Sequence, residues 1–187
     1  METEKNTGVV IDRAYDIIRK VYHEINNLKN DITSTIQEID PMYECVDEYS
    51  YGPHSLYLKE YQMYLYKNQE EDSETQDYLG VIILFSSVDR NHKKVTTIEG
   101  PEIWFCKINA QNKDKKYRCW NIINVLYLDD RKYYHDGKIL IGGYLNEYRH
   151  EDKESDEIWE GKIIGYPLTE IKDKEFLKNN ILEKLFI

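Results

Sequence analysis

Residues 9–39 read VVIDRAYDIIRKVYHEINNLKNDITSTIQEI, with an isoleucine at every seventh position from residue 11 onward. Apolar residues spaced by three and four fall on one face of an α-helix, so this stretch predicts a long amphipathic helix. In its first half the apolar face is widened by four residues: Val10, Tyr15, Ile17 and Tyr22. We therefore expect the first half of the helix to press a broad face on a core.

The second half carries a narrower apolar seam flanked by acidic residues, which is typical of a coiled coil. The seam consists of Ile25, Leu28, Ile32, Ile36 and Ile39. Because burying such a seam is strongly favourable, we expect it to pair two copies of the chain as a homodimer. The polar residues around Asn30 are poor helix formers, so the segment is either one helix or two helices that abut there. Pro41 ends it.

The rest of the chain alternates apolar segments with polar turns, which is typical of an antiparallel sheet. We expect loops at 43–53 and 147–157, and strands at 54–67, 78–88, 102–109, 117–128, 138–145 and 157–166. The alternation in 54–67 does not separate a strand from a helix. A last helix at 173–186, capped by Asp173, should cover one face of the sheet.

These elements predict a single α+β domain over residues 1–187. It should contain a long N-terminal helix or two abutting helices, a five- to six-stranded, mostly antiparallel sheet, and a C-terminal helix on one face. The self-associating segment is the helical region 9–39.

The chain is acidic: 25 Lys and Arg stand against 35 Asp and Glu in 187 residues, a formal charge of -10. This charge repels phosphates, so we do not expect nucleic acid as a partner. No stretch approaches the roughly 18 consecutive apolar residues of a membrane span. The first ten residues lack a basic segment followed by an apolar core, so we expect neither a membrane anchor nor a secretion signal.

Three cysteines, Cys45, Cys106 and Cys119, lie far apart in the sequence without a zinc-finger spacing. An odd, widely spaced set argues against a disulfide scaffold and favours a reducing, cytoplasmic location. If 102–109 and 117–128 form a hairpin, Cys106 faces Cys119. We expect both thiols to pack as small apolar groups.

The sequence contains no hydrolase, zincin, P-loop or dinucleotide-binding motif, and we expect no metal and no cofactor. The alternative is a catalytic site formed by four residues: Asp129, Asp130, Glu160 and Lys162. Acidic residues followed by a strand-borne E-x-K resemble the pattern of restriction-endonuclease-like nucleases. That resemblance implies Mg²⁺ held by the carboxylates and a lysine beside the attacking water.

Trp104 and Trp159 lie on predicted strands, where a curved sheet under a helix could wall a ligand pocket. Core packing is the more common role of such residues. With a strong helical seam and no reactive motif beside it, the sequence favours a non-catalytic cytoplasmic binding or interaction domain that self-associates. A metal-dependent nuclease or phosphodiesterase is the alternative.

Overall fold

The structure, a computed structural model, describes residues 2–51, 61–70, 75–85, 100–111, 117–119, 143, 145–152 and 157–187. The described residues begin with one long helix, α1, which covers Glu2–Ile39. Six strands follow: β1 Tyr43–Tyr51, β2 Tyr61–Asn68, β3 Gln76–Leu84, β4 Glu102–Ala110, β5 Leu145–Asp152 and β6 Glu157–Pro167. A helix then ends the chain. This element order confirms the predicted α+β class.

The strands form one antiparallel sheet in the order β1-β2-β3-β4-β6-β5. The predicted five- to six-stranded antiparallel sheet is therefore confirmed. β3 lies inside this sheet between β2 and β4, and every residue of β3 except Asp77 is buried. Its apolar run correctly indicated a strand that is covered on both faces.

Two strands lie where the sequence predicted loops. β1 occupies most of 43–53, and β5 occupies much of 147–157. They stand at the two ends of the strand order. Edge strands commonly carry charged side chains, which discourage pairing with other chains. Such strands lack the apolar alternation on which strand prediction depends, and this is why both were predicted as loops.

The predicted hairpin between 102–109 and 117–128 is wrong. β4 pairs with β3 along one edge and with β6 along the other, so neither edge is left for a further strand. Within the described part of 117–128, Tyr117 and Arg118 have no regular secondary structure. The predicted strand at 138–145 lies almost entirely outside the described residues.

α1 is one continuous helix, so the alternative of two helices abutting at Asn30 is wrong. The hydroxyl residues that follow Asn30 are accommodated by bonds to the preceding turn. Thr35 Oγ1 donates to the Asp31 carbonyl at 2.7 Å, and Thr33 Oγ1 donates to the Lys29 carbonyl at 2.8 Å. Such bonds satisfy hydroxyl groups without breaking the helix.

The sheet is buried on both faces, because strand side chains alternate between them. One face packs against the helices and includes Tyr64, Val81 and Phe105. The opposite face includes Met63 and Trp104. Each of these five residues is at most 1% exposed.

The C-terminal helix, α2, lies on the same face as α1. It begins with an α-helical turn at Lys174–Phe176, continues as a π-helix at Leu177–Leu182 and ends with an α-helical turn at Glu183–Phe186. Asp173 Oδ1 accepts a bond from the Phe176 backbone N–H at 2.8 Å, which confirms the predicted cap. The predicted helix on one face is thus also confirmed.

Candidate functional site

The second half of α1 packs on the chain's own sheet. Ile25 is 4% exposed, and Ile32 and Ile36 are 0% exposed. Leu28 and Ile39 are partly buried against the same cluster. The five seam residues that the sequence assigned to pairing between copies are therefore in contact with the core of one chain, and a second copy could reach Ile25, Ile32 and Ile36 only if that core opened.

Polar contacts fix this half of α1 over β1 and β2. Lys29 Nζ lies 2.6 Å from Glu48 Oε2 on β1 and 4.7 Å from the centre of the Tyr64 ring on β2. Thr33 Oγ1 and the Tyr66 hydroxyl are 2.8 Å apart. Burial raises the pKa of Tyr66 well above its ordinary value, so its hydroxyl keeps its proton and remains available for this bond.

The first half of α1 continues the same face beyond the sheet. Ile11, Ala14, Ile18 and Val21 extend the spacing of Ile25 backward along the helix, so they lie on the side that is buried further on. The prediction that this half presses on a core is wrong for most of its large apolar side chains from Gly8 onward, because six of them expose between 45% and 63% of their surface. They are Val9, Val10, Ile11, Tyr15, Ile17 and Val21.

Element lengths explain why this half is exposed. A helix of 38 residues is about 57 Å long at 1.5 Å per residue. A strand of nine residues, such as β3, spans only about 30 Å. The sheet therefore covers roughly half of the helix. Tyr22 is near the point of departure, with its ring centre 6.5 Å from that of Phe85.

We name five exposed apolar residues of α1 the tip face: Val10, Ile11, Tyr15, Ile17 and Val21. The sequence did not identify this surface as a candidate site. Their spacing was visible in the sequence and led us to expect burial. What the sequence did not reveal is that the described strands leave these residues exposed.

The charges around the tip face are nearly balanced. Residues 2–24 contain five acids and four bases, which leaves -1 of the chain's formal charge of -10 on this segment and -9 on the remainder. Arg19 and Asp16 form an exposed ion pair on the side of the helix away from the tip face. The segment is short, so its net charge per residue is close to that of the remaining 164 residues, but its absolute charge is small.

The E-x-K pair lies on one strand, as expected. Glu160 and Lys162 are separated by two positions on β6, and they pair with Asn109 and Lys107 on β4. Both therefore lie on the helix-covered face of the sheet, together with Ile164. Asp129 and Asp130 lie outside the described residues, so the nuclease hypothesis stays a prediction. Among the residues that are described, no group of three potential metal ligands converges.

The charged neighbours of this pair already have partners on the sheet. Lys107 Nζ lies 3.9 Å from Asp77 Oδ2, and it stands 4.9 Å from the centre of the Phe186 ring. Asn109 Nδ2 donates to Asp77 Oδ1 at 2.6 Å. At the end of the apolar core, the charge of Asp77 is therefore paired with that of Lys107.

The tryptophans differ in how far they can be described. Trp104 is 0% exposed, and its indole N–H donates to Glu102 Oε2 at 3.0 Å. It packs tightly: a Cβ built on Gly165 would lie 2.5 Å from Trp104 Cε3. Trp159 belongs to β6, where it pairs with Ala110, and its side chain lies outside the described part of the protein. The proposal of a ligand pocket between the two stays untested.

Cys106 and Cys119 are buried free thiols in the same core cluster. Burial raises the pKa of both groups, so they remain protonated at neutral pH. The expectation that they pack as small apolar groups is confirmed. Cys45 is an exposed free thiol on β1.

None of the described helices is both long and apolar enough to cross a membrane. The chain matches no protein-family profile, no curated protein and no solved structure.

Proposed function

We propose that this protein is a non-catalytic interaction domain that self-associates through the tip face of α1. The observation that carries the proposal is the exposure of this face, where apolar residues at heptad spacing expose 45% to 63% of their surface. Contiguous apolar patches on a folded domain mark interaction surfaces. Covering one isoleucine contributes about 1.5–3 kcal/mol, reduced by the entropy of ordering.

We propose a second copy of the chain as the partner, because heptad spacing of apolar residues is typical of helices that pair with one another. The net charge of residues 2–24 is only -1. Two copies that meet at their tips therefore repel each other only weakly. Nucleic acids and anionic surfaces would instead be repelled by the acidic remainder. A surface that pairs with itself also needs no separate partner of matching shape.

The proposal includes a reducing, cytoplasmic location. Its support is the odd number of cysteines and the burial of two of them as free thiols.

The experiment is sedimentation equilibrium of the full chain and of two matched variants. Ile11→Asp places a charge in the tip face. His23→Asp places the same residue on the opposite side of the same helix, at an exposed position. We expect the wild type to associate reversibly, Ile11→Asp to weaken association at least about tenfold, a loss of about 1.4 kcal/mol, and His23→Asp to associate like the wild type.

Circular dichroism and urea unfolding of each variant separate a lost interface from a lost fold. A wild type that stays monomeric at high concentration would show the proposal to be wrong. Equal weakening by both substitutions would also contradict it, because the tip face would then have no special role.

A further inference from the structure

The width of the tip face indicates how many copies meet there. In heptad notation Ile11 and Ile18 occupy position a, and Ala14 and Val21 occupy position d. Two-stranded coiled coils bury a and d, and they carry charged residues at the flanking positions e and g. Here the flanks are apolar and exposed: Tyr15 at e is 46% exposed, and Val10 and Ile17 at g are 61% and 63% exposed.

A seam limited to a and d is too short to hold two helices together. The seam from Ile11 to Val21, in which Ile18 is already partly buried, covers only about two heptads, whereas three to four are typical of a coiled coil. Residues 2–7 read ETEKNT and do not extend it. One of the four seam residues is Ala14, whose side chain adds little apolar area. Burial of the flanking residues must therefore supply part of the stabilisation.

Resting on the proposed self-association, we propose that the α1 tips assemble as a bundle of three or more copies. In such a bundle Tyr15, Val10 and Ile17 are buried between neighbouring helices, while in a pair they would stay at the solvent-facing rim. Of the two d positions, Val21 is β-branched like the isoleucine that favours trimers and tetramers, whereas Ala14 is small and adds little.

The test is native mass spectrometry and sedimentation velocity of the full chain, with two further variants. Ile17→Glu introduces a charge at a flanking position of the tip face. Lys20→Glu introduces the same residue at an exposed position farther from the seam, and it changes the net charge by two units against one for Ile17→Glu, so it is a strict control for charge. We expect complexes of three or more chains for the wild type and for Lys20→Glu, and a smaller complex or at least tenfold weaker association for Ile17→Glu.

The outcomes separate this inference from the proposed function. A dimeric wild type, whatever the effect of Ile17→Glu, would overturn the bundle and leave self-association intact. A monomeric wild type would overturn both. A complex of three or more chains that becomes smaller or weaker with Ile17→Glu, but not with Lys20→Glu, would support the inference.

Discussion

The two halves of α1 have the same apolar periodicity and different surroundings. Ile32 and Ile36 are 0% exposed beneath the sheet, whereas Ile11 and Ile17, on the extension of the same helix, are 50% and 63% exposed. Heptad spacing therefore predicts an apolar face but does not identify what covers it. In the second half the cover is the chain's own sheet. In the first half we propose that it is further copies of α1.

The largest contrast is expected for truncation of one isoleucine in each half. Ile32→Ala should lower the free energy of unfolding by about 2–5 kcal/mol, because it leaves a cavity under the sheet. Ile11→Ala should change it by less than about 0.5 kcal/mol in dilute solution, where the tip has no partner. Urea unfolding of both variants at low protein concentration measures the difference. Equal losses would show that both halves are packed within one chain.

Thiol labelling should distinguish the same halves by rate. In a Cys45→Ser background, which removes the exposed native thiol, Val10→Cys should react quickly in dilute solution. Ile36→Cys should react at least about a hundredfold more slowly, because labelling requires the core to open. The buried Cys106 and Cys119 serve as internal controls that react only on unfolding. Comparable rates for the two introduced thiols would contradict the burial of the second half.

A smaller effect is expected at the cap of α2, which packs beside the second half of α1. Asp173→Ala removes the acceptor of the Phe176 N–H bond and should cost about 1 kcal/mol of folding stability. Asp173→Asn keeps an acceptor and should cost much less. Neither substitution should alter self-association, as sedimentation would show. A cap variant that dissociates the protein while it remains folded would link α2 to the interface.

The smallest effect is expected where the end of the second half meets α2. A hydrogen bond from Lys174 lowers the pKa of Glu38 below its ordinary value of 4.5. A carboxyl group whose pKa is lower in the folded state stabilises the fold at pH values above its unfolded-state pKa. This contribution is lost as the pH falls through the folded-state pKa. Both groups are exposed, so salt should screen the effect. Glu38→Gln should therefore shift the urea midpoint only slightly at neutral pH, and not at all in acid or high salt.

Periodicity predicted much of the fold, since α1, β3 and the capped α2 each have a strong apolar pattern. The edge strands β1 and β5 were missed because their charged residues obscure alternation. The second half of α1, where the sequence predicted pairing between copies, packs on the sheet, and a seam covered by a sheet has the same spacing as a seam covered by another helix. Only the relative lengths of helix and sheet distinguish them, and strand lengths are poorly fixed by sequence.

We propose that other copies cover the first half of α1, whereas the second half packs on its own sheet. Hydrogen exchange of the full chain at low and high protein concentration distinguishes the two kinds of cover. We expect the amides of residues 9–21 to become more protected as concentration rises, while those of residues 25–36 are equally protected at both. Exchange in residues 9–21 that does not depend on concentration would contradict the account.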